Sequence, residues 1–384
     1  VTASPDSGAP RAGERLRSLD VFRGATIALM ILVNNAGDWD RTYRALLHAP
    51  WHGWTAADLV FPFFLFILGA AIPFALGSRR GGTPFELAAV HRKVLRRAAI
   101  LFALGLALIW FPYYTVDWSR ARIPGVLQRI ALVYLAAALA YLHLRPRGRA
   151  LLGLGLLGGY WAAMKLVPVP GFGAGDLSPA GNLAFHLDRL VLGAHVWRYS
   201  PGPGDPEGIL STLPAAGTAL AGIFAGELFR SQRAARQRLA LLLGWGSAGV
   251  ALGLALAPLF PINKNLWSPT FVLFTAGAAA LALAAAYAVL DLARITRWAA
   301  PFAAFGTNAI LAYVGSGVLA RLLTVLRVSD ASGATVTLKR WLYEHLWAAA
   351  LPDYVASLAW ALTHVALWWL VCVALDRRRI YLKV

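Results

Sequence analysis

The sequence predicts an all-α membrane protein that crosses a bilayer about ten times and keeps both termini in the cytoplasm. Three observations predict it. Of 384 residues, 59% are hydrophobic and only 14% charged, far from the balance of soluble domains, and the mean hydropathy is +0.59. Apolar stretches long enough to cross a hydrocarbon core recur along the chain. Lysine and arginine gather in alternate loops between those stretches, as the positive-inside pattern requires. This composition excludes a water-soluble enzyme, a coiled coil and a disordered chain. The formal charge of +18 points to membrane loops and not to nucleic acid, because the basic residues sit in short clusters between apolar runs.

Taken in order, residues 1–16 are polar and proline-containing and read as a disordered cytoplasmic tail. Residues 17–384 read as one transmembrane domain. The spans fall near 19–35, 56–77, 94–112, 125–143, 150–167, 209–229, 239–259, 269–290, 298–320 and 355–375. The first contains Arg23 and lacks a small-residue cleavage site, so it reads as a retained helix. The ninth is glycine-broken. Loops holding Arg11, Arg15 and Arg17, then Arg79 to Arg97, Arg145 to Arg149, Arg230 to Arg238, Arg294 and Arg297, and Arg377 to Lys383 lie on one side, the cytoplasmic one. Arg92 to Arg97 suit lipid headgroups. The single cysteine, Cys372, rules out a disulfide framework or a multi-cysteine metal site and reads as a packing residue.

The loops on the other side hold most of the candidate chemistry. Residues 34–55, NNAGDWDRTYRALLHAPWHGWT, offer Asn34, His48 and His52, and lead directly to Asp58 at the start of the second span. An ionisable group at membrane depth is a site candidate by default. A carboxylate near a helix N-terminus is equally a cap, and both can hold. Imidazole is suited to proton transfer near neutral pH, yet a lone loop histidine is more often a surface residue, and pattern alone does not separate His48 from His52. Trp39, Trp51 and Trp54 suit an interfacial belt. Asp205 and Glu207 stand in a turn entering the sixth span, as a site or as a capping turn. The loop FPINKNLWS supplies Asn263, Lys264, Asn265 and Trp267. Within the cytoplasmic halves of spans, Arg23, Gln128 and Arg129 are expected to line a cavity. Asn308 is buried polar or part of a small-residue packing motif. No P-loop, dinucleotide fingerprint, HExxH metal site or hydrolase elbow is present, and no inverted repeat is visible.

Six motifs occur in a fixed order along essentially the whole chain: LRSLDVFRG with MILVN, HAPWHGWTAADLVFPFFLFILG, RIPGVLQR, DPEGILSTLPA, PINKNLW and RRRIYLKV. Together they resemble the heparan-α-glucosaminide N-acetyltransferase family and its bacterial relatives among the transmembrane acyltransferases. The resemblance implies transfer of an acetyl group from cytosolic acetyl-CoA to the amine of a terminal glucosamine across the membrane. It selects His48 over His52 as general base or transient acetyl carrier, with Asn34 orienting it or stabilising the oxyanion, and Asp58 as its partner. It implies Arg23, Arg122, Gln128, Arg129 and Lys383 for acetyl-CoA, although the loop of Arg122 reads as external. Asp205, Glu207, Asn263, Lys264, Asn265 and Trp267 are then expected around the sugar. No metal is implied. A homodimer is an expectation from the resemblance alone, and the Ala- and Arg-rich composition suggests a bacterial inner membrane. The alternatives are a carrier for N-acetylglucosamine or a related sugar, and an O-acetyltransferase acting on an envelope polysaccharide.

Overall fold

The structure is a computed structural model that describes residues 16–79, 83–330 and 332–382. Among them the order is α1 (Arg17–Asn34), α2 (Ala56–Leu76), α3 (Pro84–Trp110), α4 (Val126–His143), α5 (Pro146–Leu166), α6 (Leu183–Leu192), α7 (Thr212–Arg230), α8 (Ala235–Ala255), α9 (Pro269–Tyr287), α10 (Ala300–Thr307), α11 (Ala309–Val325), α12 (Leu338–Tyr343) and α13 (Asp353–Arg377). Two small antiparallel hairpins interrupt the helices: β1 (Pro168–Val169) with β2 (Gly173–Ala174), and β3 (Arg327–Ser329) with β4 (Thr335–Thr337).

Each of the ten predicted stretches lies largely on helix, but they are not equal. Among the described residues, six helices are long and apolar enough to cross a membrane: those within 56–79, 126–143, 212–230, 235–255, 269–292 and 353–377. Residues 297–325 add a seventh only if a pair bent by 75° at Asn308 counts as one span. The helices α1, α3 and α5 occupy their predicted places with fewer apolar residues, because charged side chains such as Asp20 and Arg23 in α1 and Arg92 to Arg97 in α3 dilute the runs. Leu243, Trp245, Leu252 and Leu254 of α8 and Leu362, Leu367 and Leu370 of α13 face outward and exposed. Two long apolar helices so little buried by the rest of the protein suit lipid better than water. The chain is therefore a multi-pass helical membrane protein.

Small residues let the helices approach closely, which matters where no hydrophobic effect drives them together. Along the α2–α7 contact, a Cβ at Gly69 would stand 2.0 Å from the Ala219 carbonyl oxygen, and one at Gly222 2.0 Å from that of Phe66. The helices α8 and α9 pair through Gly246, Gly249, Gly253 and Gly277. The core between α1, α2, α4, α7 and α9 is filled by Ile27, Ile31, Leu65, Val133, Ile223 and Phe271, all buried. At the break before α11, the Asn308 side chain accepts from Leu382 N at 3.0 Å and donates to the Ile380 carbonyl at 3.2 Å, tying the end of the described chain to the bend.

Candidate active site

The site forms where α1 ends and α2 begins. The loop between them, 35–55, is pinned at its start by Ser357 of α13, which donates to the Asp38 carbonyl at 2.9 Å. It ends on the N-cap of α2, where Asp58, with a fully buried side chain, accepts from Thr55 N at 3.0 Å and Ala49 N at 3.0 Å through one oxygen. Its other oxygen stands 2.8 Å from His48 Nδ1 and 3.7 Å from Lys264 Nζ. One carboxylate therefore caps a helix through one oxygen and sets the other beside an imidazole, in a contact not aligned as a hydrogen bond. Lys264 Nζ also approaches His48 Nε2, at 2.9 Å. His48 keeps 46% of its side chain exposed, so the cleft walls, not closure to solvent, desolvate the ring. That desolvation, with the Lys264 charge, pulls its pKa below the usual histidine value, against the opposing pull of Asp58.

Lys264 is presented by the loop between α8 and α9, which is fixed from within. Asn263 is buried; it accepts from Leu266 N through Oδ1 at 2.9 Å, and its Nδ2 lies 3.2 Å from His52 Nδ1. Gly53, at φ +97, brings its amide 2.8 Å from the Ile262 carbonyl, a left-handed backbone that glycine adopts without strain. Trp267 adopts φ 47 although bulky, an outlier that needs support from its surroundings. Its Nε1 donates to Thr218 Oγ1 at 3.3 Å, and its ring meets Phe61 and Phe271 edge-on with the Arg129 guanidinium 5.0 Å away. Asn263, His52 and Trp267 thus build the loop, whereas Lys264 and Asn265 line the cleft.

The opposite wall comes from the segment between α6 and α7. Arg122 forms a two-point contact with Asp205 (Nε to Oδ2 2.8 Å, Nη2 to Oδ1 2.6 Å) and reaches Glu207 Oε2 at 2.5 Å. The two carboxylates raise its pKa despite burial. Asp188 of α6 accepts from Asp205 N at 3.1 Å and Ile209 N at 2.9 Å, and burial, aided by Asp205, pushes its pKa up to about 6. Beneath this turn, Arg129 donates to Ser211 Oγ at 2.5 Å and to the Gly208 carbonyl at 3.3 Å. Its Nε and Nη1 are buried and lack a hydrogen-bond partner, as does Gln128 Oε1, while Gln128 Nε2 donates to the Ile123 carbonyl at 2.9 Å.

These walls enclose a cleft of about 380 Å³ lined by Asn34, His48, Phe61, Arg122, Glu207, Lys264 and Asn265, among others. The sequence places Gln128 and Arg129 with the cytoplasmic basic group; the structure sets both in the first turn of α4, at the His48 end. They stand there because α4 begins beside the 205–211 turn. Arg23 lies at the other end of α1 from Asn34, eleven residues and so about 17 Å along the axis, with Nη1 3.4 Å from Asp20. Lys383 lies outside the described residues. Asp188 and Trp197, whose backbone N donates to Asp205 at 2.8 Å, belong to the wall but carry no local sequence signal.

Fold and site define the class: a multi-pass helical membrane protein whose cleft presents an imidazole backed by a buried carboxylate. Residues 15–253 match the family model described as heparan-α-glucosaminide N-acetyltransferase, catalytic, and the chain belongs to that family. It is 32% identical to the human heparan-α-glucosaminide N-acetyltransferase over 359 residues, covering 79% of this chain and 53% of the relative. For the mouse protein of the same name the identity is 29% over 431 residues, covering 97% of this chain and 61% of the relative. The chain thus spans between half and two thirds of the length of these relatives. The matched stretch includes Asn34, His48, Asp58, Arg122, Asp205 and Glu207 and ends before Lys264.

Proposed function

We propose that the chain is a transmembrane acetyltransferase that carries an acetyl group from acetyl-CoA, bound from the cytoplasm, to the amine of a glucosamine-type sugar on the outer side. It would sit in a bacterial inner membrane with ten spans and both termini cytoplasmic. Family membership supports the reaction class, and the His48–Asp58 pair facing the cleft is the observation that carries the mechanism. The alternating basic loops support the sidedness.

In this reading Asp58 favours the proton on His48 Nδ1, so Nε2, which faces Lys264 Nζ at 2.9 Å, is the basic nitrogen and acts once the acceptor replaces that lysine. The acceptor arrives as an ammonium: His48 Nε2 first takes one of its protons and passes it to solvent, the freed amine attacks the thioester carbonyl, and Nε2 takes the second proton as the amide forms. The C–S bond then breaks and the proton passes to the departing CoA thiolate. Asn34 donates to the oxyanion of the tetrahedral intermediate. Glu207, held by Arg122, and Asn265 receive the sugar. The buried, unpartnered donors of Arg129 and the free oxygen of Gln128 serve the acyl end of acetyl-CoA, and Arg23 serves its cytoplasmic end. Membranes holding the protein should transfer labelled acetyl from acetyl-CoA to glucosamine, and His48→Ala should abolish this while inserting normally. Retained transfer by that variant removes His48 from the reaction.

A further inference from the structure

Lys264 Nζ stands 2.9 Å from His48 Nε2, the place that the transferase reading gives to the acceptor nitrogen. Asp58, as an ionised carboxylate, can only accept, and its Oδ1 stands 2.8 Å from His48 Nδ1 in a charge contact that is poorly aligned for a hydrogen bond; that charge favours the imidazole proton on Nδ1. The lone pair is then on Nε2, and the group facing it at 2.9 Å is the lysine amine. An ammonium has three hydrogens and no lone pair, so as a cation Lys264 donates to a neutral ring and repels a protonated one. The charged groups around the ring are Asp58 from α2, Lys264 from the α8–α9 loop, and Glu207 from the α6–α7 segment, with Arg122 in the same cleft.

We propose that Lys264 is the positioning residue of the site: it keeps His48 neutral with its Nε2 lone pair turned into the cleft, and gives up that place to the ammonium of the incoming acceptor. The inference rests on the transferase reading above. One primary ammonium replaces another, and Asp58 and Glu207 supply the negative field for either. The backbone need not move, because the Trp267 N to Lys264 carbonyl bond at 3.0 Å holds the turn, whereas the flexible four-carbon stem can swing aside. Burial pulls the Lys264 pKa below the usual lysine value against the opposing pull of Asp58 and Glu207; those two carboxylates and the partner at Nε2 favour the charged amine.

The test uses the full chain in membranes, comparing the parent with Lys264→Met, which keeps a long stem without charge, and Lys264→Arg. Steady-state transfer to glucosamine is followed over about pH 5 to 8, the range in which histidine titrates. In Lys264→Met the acid limb of kcat/KM should move to higher pH, the loss being greatest at acidic pH and recovering toward alkaline pH. The KM for the acceptor should not rise, and Lys264→Arg should restore the parental limb. A raised acceptor KM with an unmoved limb would make Lys264 a sugar ligand and overturn the proposal. So would a loss uniform across pH that Lys264→Arg shares. Histidine NMR titration of His48 in the same proteins needs no turnover: an upward move in Lys264→Met supports the inference even if transfer to glucosamine fails, and no move refutes it even if transfer succeeds.

Discussion

Replacing Asp58 by asparagine changes one oxygen for an amide nitrogen without altering shape, and the two functions of this side chain respond differently. The amide oxygen can still accept from Thr55 N and Ala49 N, both 3.0 Å from the carboxylate, so the cap of α2 persists. Lost are the charge in those bonds and the partner of Lys264 at 3.7 Å. A weakened charge-assisted network of this kind costs about 1–2 kcal/mol, which a folded bundle tolerates. The effect on chemistry is larger. An amide facing His48 Nδ1 donates instead of accepting, so the ring proton moves to Nε2 and the lone pair turns away from the cleft. A general base is worth about 10²–10⁴-fold, or roughly 3–5 kcal/mol at 1.36 kcal/mol per tenfold. Labelled acetyl transfer by purified, monodisperse Asp58→Asn should therefore fall by two to four orders of magnitude, with thermal stability only slightly reduced. Activity within a few-fold of the parent would refute the role given to the carboxylate.

Other outcomes follow from the same contacts. Because burial and Lys264 depress the His48 pKa below its usual 6.5, and the active ring is unprotonated, transfer should persist as pH falls through 6.5 and fail only below the depressed value. The unfolded chain takes up that proton first, so the stability contributed by His48 is complete above 6.5 and drains as pH falls; a pH series of melting curves reads it. Arg122→Ala leaves Asp205, with no exposed side-chain surface, and Glu207 without their cation, at a cost of about 3–5 kcal/mol; differential scanning fluorimetry should show a clear drop in Tm, and an unchanged Tm would disprove the pairing. Gly222→Val drives side-chain atoms into the Phe66 carbonyl, which a Cβ alone would approach to 2.0 Å. Backbone cannot yield as a side chain does, so a loss of about 1–3 kcal/mol or more should appear as poor monodisperse yield.

Sequence and structure meet most closely where the determinants are local. Asp58 reads as either a cap or a site residue because both depend on its place in the first turn of a helix, and its two oxygens serve both ends. His48 and His52 are indistinguishable in the loop pattern; the structure separates them by partners, Asp58 and Lys264 for one and Asn263 for the other. The Arg122–Asp205–Glu207 contacts join residues more than eighty positions apart, so no spacing rule could reveal them. The same holds for Arg129, which reads as cytoplasmic from its neighbours but is drawn to Gly208 and Ser211 by tertiary packing. Asp188 was hidden in an ordinary amphipathic helix. The break at Asn308 left a trace as glycine-flanked sequence, but neither its 75° bend nor the ties from Asn308 to Ile380 and Leu382 could be read there.

The most direct test places the protein in sealed proteoliposomes of known orientation, with labelled acetyl-CoA on the side of the basic loops and glucosamine on the side of His48. Labelled N-acetylglucosamine should accumulate only on the His48 side, and only with an intact His48. Product with both substrates confined to the basic-loop side but none across the bilayer, or equal product from His48→Ala, would contradict transfer through this cleft.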